Sequence, residues 1–276
     1  MPATQPRAPR APYWQRLWRR PVFKRGFYEV LGLLLWRQPG LQMLNCGYAE
    51  KDFTLPTPPS DLVAERLGCQ LYHRLVRDVA LRDRDVVEIG CGRSGGARFL
   101  AHTTQPRSYL ATDASRLLIL GNRRRSTPGL RFAAAAATAL PVAAASCDVL
   151  LGVEAIHPLP DKGALLAEAS RVLRPGGVLL LADFFYTRET SPHSVAGFHA
   201  LIRAAAWRLV SEEDWTQQAV AALAEDSPRR LATINALPRL LRRPALSFAG
   251  TTESPLYRQL GNGQARYLFF KLQKAG

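Results

Sequence analysis

The chain has 276 residues, 47% of them hydrophobic, and a formal net charge of +15 at neutral pH. The composition excludes a collagen, a coiled-coil rod and a wholly disordered chain, and the length suits one large domain or one domain with appendages. The charge favours an anionic partner but does not bear on the fold. Four cysteines without a CxxC pair are typical of reduced thiols in a cytoplasmic protein.

Residues 1–26 form a basic arm with seven Lys or Arg residues and no acidic residue. Four early prolines prevent a helix there, and aromatic residues alternate with the arginines. Aromatic rings in the lipid interface and guanidinium groups on phosphates would hold such a flexible arm on an anionic membrane. A solvated tail and an organelle transit peptide are the alternatives. No apolar run reaches the ~20 residues of a membrane-spanning helix, so we expect a cytoplasmic protein with peripheral membrane contact at most.

Residues 27–80 are predicted to form a helical cap in front of the core domain, with a Pro-rich linker at 55–60. Apolar residues at three- and four-residue steps predict a helix from Ser60 or Asp61 to about Val79. From Asp85 onward, the pattern changes to alternating strands and helices, which predicts an α/β domain over 81–276 with a parallel sheet covered on both faces.

The predicted elements of this domain can be given in chain order. Strands are predicted at 86–89, 109–112, 130–134, 147–153 and 178–182, and helices at 95–102, 115–125 and 162–173. Residues 187–243 break the rhythm and are predicted to be a helical lid, with helices at 196–210, 214–224 and 231–241. Two strand-like runs follow at 245–249 and 267–272.

A glycine-rich turn between the first strand and its helix is the sharpest local signal. Gly90, Gly92 and Gly95 have the spacing of a dinucleotide-binding turn, and Asp113 lies where a ribose-binding acid would be. Such glycines let the backbone approach a ligand, and the helix start offers free N–H groups to a carboxylate or phosphate. A tight turn without a ligand is the alternative. Glu88, two residues before the turn, would suit a cationic group in the ligand and would not help a pyrophosphate.

Together with the Leu173–Gly177 turn before the fifth strand, these residues resemble the class I S-adenosylmethionine-dependent methyltransferases. The resemblance implies a Rossmann-like, doubly wound sheet of seven strands, with 245–249 and 267–272 as the final antiparallel hairpin. It also implies S-adenosyl-L-methionine as the cofactor.

A closer resemblance extends over most of residues 40–273. Segments 44–49, 70–73, 153–157 and 257–263 are similar to the phthiotriol/phenolphthiotriol dimycocerosates methyltransferases and related polyketide O-methyltransferases. This resemblance implies methyl transfer to a hydroxyl oxygen of a large apolar polyketide or lipid. Transfer to carbon or nitrogen is the alternative, because the same scaffold serves several nucleophiles.

The resemblance also implies roles for single residues. It places Tyr48 near the methionine end of the cofactor, Glu88 and the glycine turn at its amino-acid portion, and Asp113 at the ribose. Ser94 stands where many members have Gly, and Ala136 where they have an adenine-binding Asp, so Thr138 is a candidate substitute. The predicted cofactor-binding residues are Tyr48, Glu88, Gly90, Cys91, Gly92, Gly95, Asp113, Ala136, Thr138 and Val153.

His157 is the candidate general base. It follows the fourth strand at the carboxyl edge, where open α/β sheets bind ligands, and a neutral imidazole suits the removal of a hydroxyl proton. Glu154 is grouped with it as a candidate catalytic residue. The alternative is that His157 only shapes the pocket or hydrogen-bonds Glu154.

Aromatic residues are candidates for an apolar acceptor pocket, with ordinary core packing as the alternative. The predicted acceptor-binding residues are Phe184, Tyr186, Trp207 and Trp215. No His has metal-ligand spacing to a Cys or an acid, so no metal is predicted.

Two other functions stay open at this point. The glycine spacing alone would also suit a nicotinamide-dependent reductase, against which Glu88 and the Leu173–Gly177 turn argue. The charge and Ala136 would suit a degenerate methyltransferase fold that binds a membrane or nucleic acid. A nucleic-acid partner is disfavoured, because the Asn/Asp-Pro-Pro-Tyr of base-amine methyltransferases is missing after the fourth strand. The oligomeric state cannot be deduced.

Overall fold

The structure is a computed structural model that describes residues 40–188, 193–205, 207–239, 242, 245–246 and 249–274. The predicted basic arm and the beginning of the predicted cap therefore lie outside the described residues. Within the described ranges, no helix combines the length and the apolar character needed to cross a membrane.

Seven strands form one sheet in the order β3-β2-β1-β4-β5-β7-β6. Strands β1 to β5 are parallel, and β7 runs antiparallel between β5 and β6. The strands are β1 Asp85–Ile89, β2 Ser108–Asp113, β3 Leu130–Ala134, β4 Cys147–Val153, β5 Leu173–Tyr186, β6 Arg208–Asp214 and β7 Ala265–Gln273. The predicted doubly wound α/β fold is confirmed.

Within the described residues, seven α-helices with defined bounds accompany the sheet. They are α1 Arg66–Val76, α2 Gly95–Thr104, α3 Arg116–Asn122, α4 Lys162–Val172, α5 Val195–Ala204, α6 Thr216–Asn235 and α7 Pro255–Gly261, and a 3₁₀ turn at Ser60–Glu65 leads into α1. Side chains cap several helix starts: Ser115 accepts from the Leu118 N–H, and Asp161 accepts from the Ala164 N–H.

The order of the strands determines where a ligand can enter. Strands β1 and β4 are neighbours in the sheet. After β1 the chain continues to β2 on one side, whereas after β4 it continues to β5 on the other side, so the two connections run in opposite directions. Open α/β sheets bind their ligands in the crevice that this reversal leaves at the carboxyl ends of the strands. The loops after β1, β2, β4 and β5 meet at this edge.

A hydrophobic core covers each face of the sheet. On one face, residues of α1 and α2 such as Leu71 and Phe99 pack on Tyr109 of β2. On the other face, Leu165 of α4 and Phe198 of α5 pack against Phe270 of β7. All six side chains are almost fully buried. Burial on both faces explains why the central strands are nearly continuous apolar runs.

The predicted final hairpin is wrong in one strand. The partner of β7 is β6, at 208–214, and not the run at 245–249, of which Ala245 and Leu246 are helical. The lid predicted as three helices therefore contains α5, then β6, then the single long helix α6. Strand β6 is bonded on one side only and is largely exposed, so it lacks the alternation of apolar residues that identifies a half-buried strand.

The cap is anchored by residues before and within α1. The ring of Tyr72 packs so closely on Gly96 that a Cβ there would lie 1.9 Å from it, which explains the glycine at this position. Buried Glu65 accepts the N–H groups of Gln42 and Met43 at 2.8 and 2.6 Å. The Gly95 N–H donates to the Gln42 carbonyl at 3.3 Å, so the part of the cap that precedes α1 crosses the start of α2.

Candidate active site

Four acidic residues lie at or just beyond the carboxyl ends of parallel strands. Glu88 belongs to β1, Asp113 ends β2, Glu154 follows β4 and Asp183 lies in β5. Glu88 and Asp183 are 0% and 1% exposed. A buried carboxylate is costly unless donors surround it, so the partners of these groups define how this edge of the sheet is assembled.

The glycine turn leaves open space at one position. Gly90 and Gly92 have φ values of +66° and +50°, which favour glycine. A Cβ on Gly90 would clash with Ala155 at 2.6 Å, whereas a Cβ on Gly92 would meet nothing within 4 Å. Buried Cys91 donates its N–H to the Thr112 carbonyl at 2.9 Å and so ties the turn to β2. Gly92 is therefore the point where a ligand can approach the backbone.

Ser94 and Gly95, at the start of α2, lie in different environments. Gly95 faces the chain itself, because a Cβ there would lie 2.6 Å from the Gln42 carbonyl oxygen. Ser94 is buried and has a φ of +68°, in the left-handed region that an L residue adopts at a cost of about 1 kcal/mol. This conformation favours glycine, so the serine strains the turn.

Asp113 is held by two backbone donors. Its carboxylate accepts the Gly92 N–H at 3.0 Å and the Ser115 N–H at 2.8 Å, and burial raises its pKa. Each oxygen has a further lone pair, so the group can still accept two hydroxyl protons. This is the arrangement that a ribose with two free hydroxyls requires.

Ala136 and Thr138, the predicted adenine-binding residues, lie in the turn that follows β3 and is bonded to Asp113. The Ala135 N–H donates to the Asp113 carbonyl at 2.9 Å, and the next residues form a tight turn closed by an Ala139 N–H bond to the Ala136 carbonyl. Both predicted residues are exposed. The turn offers the Thr138 hydroxyl and backbone groups, but no carboxylate, to an adenine amino group.

Glu88 is enclosed by two tyrosines. The Tyr72 hydroxyl donates to one carboxylate oxygen and the Tyr109 hydroxyl to the other, both at 2.7 Å. Burial raises the pKa of Glu88 to about 7, although both hydrogen bonds oppose the shift. Glu88 therefore joins the cap to β1 and β2 beneath the glycine turn. A cationic ligand group would have to contact the same carboxylate oxygens that already accept the two tyrosine hydroxyls.

Tyr48 and Trp215 form an aromatic cluster on the cap side. Tyr48 is 3% exposed, and its ring meets Trp215 edge-on with centroids 5.3 Å apart. Trp215 also stacks on Phe269 at 4.8 Å and is 2% exposed, so it belongs to the core. Trp207 packs in the core of the opposite face with Phe198, so the structure does not bring it to this edge.

His157 pairs with Asp183. The Nδ1 atom of His157 lies 3.1 Å from Asp183 Oδ1, and Asp183 also accepts the N–H groups of Ile156, His157 and Phe184 at 2.8 to 3.0 Å. Burial would raise the pKa of Asp183, but the His157 charge and these donors lower it below 3.8. Because an ionised carboxylate only accepts, the proton of the neutral imidazole lies on Nδ1, which leaves Nε2 as a base.

The pKa of His157 reflects the same pair. Burial alone would lower it, but the charge and hydrogen bond of Asp183 raise it above the usual 6.5. The imidazole keeps partial contact with solvent, with 31% of its side chain exposed. Nearby His193 differs, since burial lowers its pKa to about 4 and keeps it neutral.

The hydrogen bond between His157 and Glu154 that was the alternative to a base role is not formed, because Glu154 accepts other donors. Its Oε1 accepts the Cys46 N–H at 2.6 Å and the Tyr267 hydroxyl at 2.9 Å, and burial raises its pKa. Its φ of +51° is strained for a non-glycine residue, and its N–H donates to the Ala182 carbonyl at 2.7 Å. Glu154 follows Val153, which ends β4 and is buried. Its contacts hold the part of the cap that precedes α1 against the sheet.

Of the predicted acceptor-binding residues, Phe184 lies beside His157, and Tyr186 lies next to Phe184. The His157 ring is 4.5 Å from that of Phe184, and Tyr186 lies edge-on to Phe184 at 6.1 Å. Both aromatic residues are only partly buried. An apolar wall therefore flanks the imidazole at the carboxyl end of β5.

Sequence reasoning missed Asp183, Tyr72 and Tyr109. Asp183 had a usable signal, an acid at the carboxyl end of a central apolar strand, as in β1 and β2. The tyrosines had none, because their hydroxyls reach Glu88 from 16 and 21 residues away. Among the described residues, no cluster of three or more His, Cys, Asp or Glu could hold a metal ion.

The sheet order, the glycine turn and the acid after β2 define a class I methyltransferase. The family profile described as "Methyltransferase domain" matches residues 87–181. The crystal structure of the cyclase SpnF superimposes with a TM-score of 0.69 over 91% of this chain and 94% of that one. Its sequence identity is 16%, so this likeness shows the fold alone.

Two curated relatives are similar in sequence. A phthiotriol/phenolphthiotriol dimycocerosates methyltransferase of Mycobacterium tuberculosis is 32% identical over 271 residues, which cover 95% of this chain and 93% of that protein. A fatty-acid O-methyltransferase of Mycolicibacterium smegmatis is 37% identical over 142 residues, 51% of this chain and 52% of that protein. The chain belongs to the phthiotriol/phenolphthiotriol dimycocerosates methyltransferase family.

Replacement of Gly92 by Ala tests the cofactor cradle. We expect G92A to weaken binding of S-adenosylhomocysteine about tenfold or more, because its Cβ fills the open space, and to lower stability by about 1 kcal/mol. Gly263 also has a positive φ and open space around its Cβ position, so G263A is the matched control. Calorimetry should show normal binding for G263A; equal binding by both variants would remove Gly92 from the cofactor site.

Replacement of Glu88 by Gln tests its burial. Since the folded pKa of about 7 lies above the ordinary 4.5, the folded state keeps a proton that the unfolded state loses as pH rises between these values. Wild-type stability should therefore fall in this window relative to E88Q, by at most about 1.4 kcal/mol per pH unit. Urea unfolding across this range measures the difference. The stability of E253Q, changed at an exposed carboxyl, should depend on pH as that of wild type does. If the stability of E88Q also fell with pH in parallel with wild type, this interpretation would be contradicted.

Proposed function

We propose that this methyltransferase transfers a methyl group to a hydroxyl oxygen of a large apolar lipid or polyketide, with His157 as the general base. The observation that carries the proposal is the His157–Asp183 pair at the carboxyl edge, 3.1 Å apart, beside the glycine turn of the fold. A histidine held in this way has its Nε2 lone pair available for a hydroxyl proton.

The cofactor of this proposal is S-adenosyl-L-methionine, which would supply a methyl group on a positively charged sulfur and would leave as the neutral thioether S-adenosylhomocysteine once the methyl carbon–sulfur bond is broken. The residues present fit it: Gly92 leaves space at the turn, and Asp113 presents a carboxylate already oriented by two backbone donors. Asp113 would hold the ribose hydroxyls, and the turn after β3 would contact the adenine through Thr138 and backbone groups. Tyr48 would close the methionine end from the cap side.

His157 takes the proton that the acceptor hydroxyl loses as its oxygen forms the new bond to carbon. Nε2 accepts that proton, and the resulting imidazolium is stabilised by the ionised Asp183 at Nδ1. General base catalysis of this kind contributes about 10²–10⁴-fold to the rate. The four donors around Asp183 keep it ionised and keep the ring in one orientation, so little reorganisation accompanies the proton transfer.

The acceptor is expected to be apolar around its hydroxyl. Phe184 contacts His157, Tyr186 lies edge-on to Phe184, and both offer aromatic surface and no charge. The curated relatives are named for a dimycocerosate lipid and for a fatty acid, which agrees with an apolar acceptor. We therefore assign Phe184 and Tyr186 to the acceptor pocket, and leave Trp207 and Trp215 to the two cores.

An assay with labelled S-adenosyl-L-methionine tests the proposal. The acceptors are a long-chain lipid with a secondary hydroxyl and the same lipid with that hydroxyl already methylated. We expect label in a methyl ether from the first acceptor only. Label on carbon, or equal labelling of both acceptors, would contradict transfer to the hydroxyl.

The base is tested by H157A, with H199A as the matched control. His199 pairs with Glu212 of β6, away from the carboxyl edge. We expect H157A to lower kcat about 10²–10⁴-fold with little change in cofactor affinity, and H199A to keep its kcat. In wild type, kcat should rise with pH through the raised pKa of His157, because only the neutral ring accepts a proton. D183N should lower kcat and move this rise to lower pH; full turnover by H157A would refute the base.

A further inference from the structure

Helix α3 and the turn after it present an exposed leucine among arginines. Leu120 lies four residues after Arg116 and three and four residues before Arg123 and Arg124, which places the arginines on the same side as the leucine. All four are exposed, and Leu120 is 58% exposed. We call this set the arginine–leucine face.

The charge around this face is one-sided. Between Asp113 and Asp148 the sequence has five arginines and no acidic residue. In the described part of the chain, no carboxylate forms an ion pair with Arg116 or Arg123. The charges of Arg116 and Arg123 are therefore available to an external anion.

The face is held rigidly from behind. Ile119 is 2% exposed and packs into the core of the cap side. Asn122 donates from its side chain to the Gly92 carbonyl at 2.8 Å, and the Ser115 hydroxyl caps the helix start. Leu120 is thus kept in solvent by the packing of its own neighbours. A leucine held exposed in this way contributes favourable free energy when a second apolar surface covers it.

We propose that the arginine–leucine face docks the protein on an anionic phospholipid membrane. Guanidinium groups bind lipid phosphates, and a leucine between them can enter the acyl boundary, as on helices that lie in a membrane interface. Nucleic acid would bind the arginines equally well but offers nothing to Leu120, so the apolar residue favours the membrane.

Docking here would serve an enzyme with a lipid acceptor. Helix α3 begins three residues after Asp113, so the face borders the edge where the cofactor residues meet. The membrane interaction does not depend on which atom the enzyme methylates. A failed acceptor assay would leave it standing, and a failed binding assay would leave the proposed function standing.

Vesicle sedimentation of the full chain tests the proposal. The vesicles contain phosphatidylcholine alone or phosphatidylcholine with phosphatidylserine. The variants are R116E/R123E and L120S. The matched controls are R188E/R258E, with the same change in net charge on the half of the sheet near β5 and β7, and L209S, at an exposed leucine of the edge strand β6. Thermal unfolding confirms that each variant is folded.

We expect wild type to bind the anionic vesicles only, and less as salt is raised. R116E/R123E should bind at least about tenfold more weakly, since each arginine near the surface contributes about 1 kcal/mol. L120S should bind about fivefold more weakly because it loses its apolar contact, and both controls should bind as wild type does. Equal losses in R116E/R123E and R188E/R258E, or unchanged binding by R116E/R123E, would overturn the proposal. If R116E/R123E lost binding to duplex RNA but still bound the vesicles as wild type does, the face would be a nucleic-acid site instead.

Discussion

A carboxylate that is withdrawn from water must find donors, and this constraint organises the carboxyl edge of the sheet. Glu88 accepts one hydroxyl from the cap helix and one from β2. Glu154 accepts the Cys46 N–H from the part of the cap that precedes α1. Asp183 accepts three backbone N–H groups and the Nδ1–H of the His157 ring. Each acid thus joins segments that are distant in sequence. Removal of one partner would leave a buried acceptor unpaired, which costs more than the hydrogen bond itself.

The same constraint separates the roles of two neighbouring acids. Asp183 is surrounded by donors and stays ionised, which suits the orientation of an imidazole that becomes charged. Glu154 has fewer donors, and burial dominates its pKa, which is raised. It is therefore suited to closing the cap over the edge rather than to stabilising a charge. Different environments give similar side chains different tasks, a pattern common to sites that run acid–base chemistry.

Much of the sheet could be predicted from the sequence, and the site only in part. Strands β1, β2 and β4 were predicted within one residue because burial on both faces leaves an apolar run between turn residues, and β3 because buried Leu130 and Phe132 alternate with an exposed residue. Strand β6 was missed because an exposed edge strand lacks that pattern. The glycine turn and Asp113 are local signals, whereas the Glu88 clamp and the Asp183 partner of His157 depend on long-range packing. The tryptophans could not be assigned, since core and pocket use the same residue types.

The most direct measurement is the protonation state of the His157 ring. Nitrogen-15 NMR of the full chain with labelled histidine, with H157A used for assignment, reports which nitrogen carries the proton and at what pH the ring titrates. The proton should reside on Nδ1 at about pH 8, with Nε2 bare, and the ring should titrate above 6.5. A proton on Nε2 in the neutral ring, or titration below that value, would contradict a base oriented by Asp183.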